Sequence, residues 1–200
     1  MKLTTHPFRR RAFTIVEIMV TLVIFSLVVI AMVSSQLFGL RVNKAVSAKM
    51  IATADARHAM DQVRDRIRNA NTVIVGNSNG TNFLSITNGT QAGNAVQVFP
   101  STNSALYYLF YVNTNANQLM VYFGGSSTTN GIYRSLAGNV TNRIVFDAED
   151  FQGNILTNNQ NNRVIRMTLD FLQFEYASGQ RGNAYNHYQV QMRATQRLLN

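Results

Sequence analysis

The chain contains no cysteine and only 2 prolines among its 200 residues. Without cysteine there is no disulfide framework, so any folded part must hold by packing alone; the cysteine count leaves the compartment open. The two prolines are Pro7 and Pro100, and Gly39 is the only glycine between Phe13 and Ala70. Nothing in that long stretch therefore interrupts a helix. Acidic residues are also scarce, 9 against 18 Lys and Arg, for a formal charge of +9. Lys2, Arg9, Arg10 and Arg11 supply part of that excess ahead of the long apolar run. The remainder is scattered, a moderate bias toward anionic partners. His6, His58 and His187 are too dispersed to suggest a metal site. No nucleophile, base and acid cluster in the sequence, so an enzyme is not expected.

What the chain does have is one strongly apolar run, Phe13–Val33, in which Glu17 is the only charge. As a helix it would measure about 31 Å, matching a hydrocarbon core of roughly 30 Å. An apolar stripe continues at steps of three or four through Val42, Val46, Met50, Thr53, Ala56, Met60, Val63, Ile67 and Ala70. Arg41, Lys44, Lys49, Arg57, Asp61, Arg64, Asp65, Arg66 and Arg68 occupy the other faces. This pattern predicts one nearly continuous helix from about Phe13 to about Ala70, half membrane anchor and half amphipathic.

After Asn71 the pattern becomes strand and turn. Strands are predicted at Thr72–Val75, Phe83–Ile86, Ala95–Phe99, Leu106–Val112, Leu119–Phe123, Ile132–Leu136, Arg143–Phe146, Arg163–Phe171 and His187–Thr195, with a hairpin over 113–118. Ile165, Met167, Leu169 and Phe171 share one face, as do Tyr188, Val190, Met192 and Ala194. A phase shift to Leu172, Phe174 and Tyr176 predicts a bulge. No helices intervene, so an antiparallel sheet is expected, with the helical stripe as its cover. The expected architecture is α+β: a basic leader over 1–12, a transmembrane half-helix over 13–33, an amphipathic half over 34–70, and an antiparallel β-rich extracytoplasmic domain over 71–200.

Glu17 needs a reason. A carboxylate at the centre of a span costs about 2.5–3.5 kcal/mol, less near its end, and marks function. A plain signal anchor explains the arginines but not Glu17. A secretory signal peptide would have a shorter core and an A-x-A-type end, which Ala31-Met32-Val33-Ser34 fits poorly. A twin-arginine signal would use Arg10-Arg11, but is generally less apolar, and no cleavage site follows the run.

The stretch Arg9-Arg10-Arg11-Ala12-Phe13-Thr14-Ile15-Val16-Glu17 resembles the N-terminus of type IV prepilins and the related pseudopilins. That pattern is a basic leader, a small residue before the cut, then Phe-Thr, a Glu as fifth residue of the mature chain, and an apolar helix. The resemblance implies cleavage between Ala12 and Phe13 by a prepilin peptidase, N-methylation of Phe13, and assembly through Thr14 and Glu17. The family usually places glycine before the cut, and Ala12 is the minority residue. Once cleaved, the Phe13 amine would lie one turn from Glu17, where the helix dipole disfavours a cation; in an apolar bundle Glu17 could pair with the amine of a neighbouring subunit. The resemblance further implies partners among other pilin or pseudopilin subunits, an inner-membrane assembly platform and membrane lipid. It implies a single-pass inner-membrane precursor with a cytoplasmic N-terminus, later part of a pilus or pseudopilus. The positive-inside count favours that orientation only narrowly, because Arg41, Lys44 and Lys49 follow the span.

Downstream, Gly131–Leu136, Ile144–Phe146 and Ile165–Phe171 loosely resemble the W-type minor pilins and the J-type minor pseudopilins of type II secretion. The expected function is thus a minor pilin or pseudopilin that assembles into, initiates or caps a fibre. The alternatives are a competence-type minor pilin contacting DNA and a membrane-anchored binding domain that does not polymerise. Arg57, Arg64, Arg66 and Arg68 form the densest basic patch, but Asp55, Asp61 and Asp65 are interleaved, so a solvated face with internal pairs is expected rather than a nucleic-acid site. Asp147, Glu149, Asp150 and Asn154 gather oxygen ligands near Gly153 and form a weak calcium candidate. Their spacing is not an EF-hand loop, so solvated turn acids and no cofactor are the first expectation. Tyr107–Tyr111 reads as sheet core and cover. The sequons at Asn79, Asn88 and Asn139 are expected by chance in so Asn- and Thr-rich a chain.

Overall fold

The computed structural model describes residues 14–197 apart from 104, 126–130, 160–163 and 179–181, with side chains described except at 45, 48, 49, 51, 52, 173–178 and 182–186. The leader 1–12, the junction Ala12–Phe13 and the arginines Arg9 to Arg11 lie outside the described residues. The chain divides into two compact units, Met1–Lys44 and Ala45–Asn200.

Helix α1 is Ile15–Arg68. In the first unit it contributes Ile15–Lys44, long and apolar enough to cross a membrane, with its described side chains exposed. Two hydroxyls of this apolar stretch are satisfied within the helix. Thr21 Oγ1 donates to the carbonyls of Glu17 and Ile18, each at 2.9 Å, and Ser26 Oγ donates to Leu22 O at 2.7 Å. Such back-bonding is how a hydroxyl is accommodated in a helix that lacks water.

The second unit holds the rest of α1 and ten strands: β1 (Thr72–Ser78), β2 (Phe83–Ser85), β3 (Ala92–Gly93), β4 (Ala95–Phe99), β5 (Tyr107–Asn113), β6 (Gln118–Gly124), β7 (Ile132–Ala137), β8 (Phe146–Glu149), β9 (Val164–Ser178) and β10 (Gly182–Thr195). They form two antiparallel sheets, one ordered β2-β1-β4-β5-β6-β7 and one ordered β10-β9-β8-β3. The α+β architecture anticipated from sequence is present: a long N-terminal helix followed by antiparallel sheet. The single sheet is in fact two, and the switch lies at Asn94. This residue separates β3 from β4, and its side chain pairs with Ser78 in both directions, accepting from Ser78 N at 2.7 Å and donating to Ser78 O at 2.8 Å. Gly93 and Gly76 let the sheets approach there, because a Cβ on Gly93 would run into the Gly76 carbonyl. The sequence pattern missed β3 because two residues carry no periodicity.

The helical stripe covers both sheets, but only from Ala56 onward. Ala56, Ala59, Met60, Val63 and Ile67 are buried in one core with Val75, Val96, Phe110 and Leu119 of the larger sheet and Phe146, Ile165, Met167 and Leu169 of the smaller. Val42, Val46 and Met50 of the same stripe are exposed. Phe110 enters this core, whereas Leu109 and Tyr111 join a second cluster on the sheet's other face. The Tyr107–Tyr111 run therefore supplies both faces. Residues in the segment after β10 close the helix end. Arg197 N donates to Arg68 O at 3.1 Å, and Gln196 Nε2 donates to the carbonyls of Ala70, at 2.9 Å, and Asn71. These satisfy terminal carbonyls that a glycine cap would otherwise meet. The β9 irregularity also differs from expectation. Its register skips Glu175, pairing Tyr176 with Ala184 and Phe174 with Tyr185, rather than breaking at Leu172.

Candidate assembly and processing site

The described chain begins at Thr14, and the first turn of α1 is built around it. Thr14 N donates to Glu17 Oε2 at 2.9 Å, Thr14 Oγ1 reaches the same oxygen at 3.1 Å, and Glu17 N donates back to Thr14 Oγ1 at 3.3 Å. This is a reciprocal capping box, with Thr14 as N-cap and Glu17 three positions on. It gives two otherwise unpaired backbone donors a partner and places a carboxylate where the helix dipole favours it. The cap uses only groups of Thr14 and Glu17, so a cut before Phe13 leaves all of them in place. All the carboxylate bonds fall on Oε2; among the described residues no donor meets Oε1. Sequence reasoning gave Glu17 one role, toward an amine. The T-x-x-E spacing ahead of an apolar run was the signal for the second role, as a cap.

The other predicted acids separate. Asp147 and Glu149 are not turn acids: both lie in β8 on the face opposite Phe146 and Ala148, and both are buried. Arg166 of β9 grips Asp147 Oδ2 from Nε at 3.0 Å and Nη2 at 2.7 Å, while its Nη1 lies 2.6 Å from Glu149 Oε1. Arg193 of β10 reaches Glu149 Oε2 from Nε at 2.7 Å. The register puts Arg166 and Arg193 directly opposite each other, a like-charge pair that Glu149 bridges. The Arg166 pKa is pushed up, first by its hydrogen bond to Asp147 and then by the charges of Asp147 and Glu149, against desolvation. Asp150, by contrast, is a turn acid. Its Oδ1 accepts from the backbone N–H groups of Gln152 and Asn154, each at 2.8 Å, and its Oδ2 accepts from Asn154 Nδ2 at 3.0 Å. Asn154 thus meets Asp150, while Asp147 and Glu149 turn to arginines. Among the described residues no three His, Asp or Glu side chains gather as a metal set.

The basic helix face is internally paired in part. Arg64 Nη2 lies 2.7 Å from Asp61 and Arg64 Nε lies 3.7 Å from Asp65. Arg66 stacks over the Tyr108 ring, 4.2 Å from its centroid, a cation–π contact. Arg66 and Tyr108 also border a cavity of about 390 Å³ between the end of α1 and strands β4 to β7.

Comparison with known proteins bears on the N-terminal segment. No curated protein matches the chain. Residues 7–33 match the family model described as the prokaryotic N-terminal methylation motif. That interval takes in the Ala12–Phe13 junction, the Thr14–Glu17 cap and the apolar start of α1. The chain therefore carries the N-terminal methylation motif of type IV prepilin-like proteins, consistent with a prepilin or pseudopilin.

Proposed function

We propose that the protein is a minor pilin or pseudopilin, a structural subunit that a prepilin peptidase cuts between Ala12 and Phe13 and that then assembles into, initiates or caps a pilus or pseudopilus. The observation that carries this reading is the position of Glu17: the sole charge of the apolar run Phe13–Val33, held in the first turn of α1, with Oε1 free of any described donor. In the mature chain that oxygen can take the Phe13 amine of a neighbouring subunit while Oε2 keeps its own helix capped. A buried pair of this kind sets register more than it adds stability. The precursor would sit in the inner membrane with its N-terminus cytoplasmic and its β domain extracytoplasmic, and would be drawn into the fibre by an assembly platform. N-methylation would fall on Phe13. The reading needs no cofactor. The minor-subunit assignment rests on the loose likeness of Gly131–Leu136, Ile144–Phe146 and Ile165–Phe171 to W-type and J-type subunits.

N-terminal mass spectrometry of the membrane-extracted protein tests the proposal. The expected terminus is methylated Phe13 in cells with an active prepilin peptidase and Met1 in cells without it. Ala12→Gly should raise the processed fraction, since glycine is the usual residue before the cut. An intact Met1 in peptidase-positive cells for both the native chain and Ala12→Gly would sink the reading.

A further inference from the structure

The turn after β8 presents an aromatic side chain to solvent on a stiff support. Phe151 is 91% exposed, yet its neighbours are tied on both sides. Asp150 accepts from Gln152 and Asn154, Asp150 N donates to Asn154 O at 2.9 Å, and Gly153 N donates to Asp150 O at 3.2 Å. Gly153 closes the turn at φ +91°, a value favouring glycine. A large apolar side chain held out by so ordered a turn has no role in its own core. A pre-organised aromatic of this kind loses little entropy on docking and is the usual anchor of an interface.

The same chain carries a receptor of matching chemistry. The cavity beside the end of α1 is lined by Val98, Tyr108, Phe110 and Phe123 and, from exposed positions, by Arg66 and Arg134. Apolar walls suit the Phe151 ring, and the two guanidinium groups suit the Asp150 carboxylate beside it. That carboxylate's pKa is lowered, chiefly by Asn154, which favours its charged form. Asp65, the acid among the lining residues, lies near Arg64. Because Phe151 is exposed, the turn does not fill its own cavity, and a meeting of the two requires two molecules.

We propose that the Asp150–Phe151 turn of one copy docks into the Arg66–Arg134 cavity of a second copy of this chain. The contact uses two different patches, so it is head-to-tail rather than a symmetric pair. It rests on the subunit reading above and names a surface of the β domain that would join neighbours.

The absence of cysteine makes the test clean. Full-length Gln152→Cys and Asn69→Cys chains, both substituted at exposed positions, are co-expressed and treated in membranes with a bismaleimide. The expected product is a mixed dimer. Adding Phe151→Ala to the Gln152→Cys chain should lower its yield by about tenfold, as for an interface anchor. Arg134→Glu on the other chain should also lower it. No mixed dimer, a yield indifferent to Phe151→Ala, or equal dimer from Gln152→Cys alone would overturn the contact. The two failures are separable. Processed fibres without the mixed dimer refute this contact and leave the subunit reading standing, whereas an unprocessed Met1 refutes the reading itself.

Discussion

Removing Arg166 should be the most damaging single change to the ion network of the smaller sheet, and the structure ranks its neighbours below it. The Glu149 side chain is 0% exposed, that of Asp147 10%, that of Arg166 22% and that of Arg193 57%. Arg166→Met deprives Asp147 of both hydrogen bonds to its Oδ2 and leaves Glu149 with Arg193 alone. Stripping a buried pair of one member costs about 3–5 kcal/mol. Glu149→Gln is milder, because Arg166 keeps both bonds to Asp147 and Arg193 can turn to water. Leaving buried donors without their charged acceptor costs about 1–3 kcal/mol, so a loss of about 2 kcal/mol is expected. Arg193→Ala removes a contact from an exposed guanidinium, worth less than about 1 kcal/mol after solvent screening. The assay is chemical denaturation of the full chain in mild detergent, followed by tyrosine near-UV dichroism, since the protein has 8 tyrosines and no tryptophan. The expected order of loss is Arg166→Met, Glu149→Gln, Arg193→Ala. An Arg193→Ala loss equal to that of Arg166→Met would falsify the ranking, as would a neutral Glu149→Gln.

Two further outcomes separate roles that share residues. Thr14→Ala breaks the capping box and should cost the first turn about 0.5–2 kcal/mol, with amide exchange at Ile15 to Ile18 quickened. Glu17→Gln can still accept the Thr14 N–H, so exchange there should change little while subunit assembly falls; if both variants impair assembly equally, the carboxylate has no role beyond the cap. For the Asp150 turn, the folded-state pKa is depressed, so its contribution is present above the usual carboxylate range and is lost as pH falls through the lowered folded value. The Gln152 and Asn154 amides should lose their hydrogen-bonded shifts in acid NMR spectra only below that usual range, and loss at a higher pH would contradict the assignment.

Much of the fold was legible because hydrophobic period is a local property. The helix was expected from Phe13 to Ala70 and is Ile15–Arg68; the Ala95–Phe99 strand was placed to the residue, and Ile165, Met167, Leu169 and Phe171 face the core as their alternation required. The β8 strand was displaced toward the N-terminus because Asp147 and Glu149 read as turn residues. Carboxylates look like loop chemistry until the arginines that neutralise them are known, and Arg166 and Arg193 lie 19 and 44 residues away from their partners.

The sequence by itself determined the apolar run Phe13–Val33, its single carboxylate and the N-terminal methylation motif, because each is written in contiguous residues and depends on local geometry. Only the tertiary structure decided that the β domain is two sheets, that the helical stripe is covered from Ala56 but not at Val42 to Met50, and that the acids of β8 belong to an ion network. Those features depend on which strands become neighbours, and the energy of a pair such as Glu149 with Arg193 exists only once distant segments have closed the space between them.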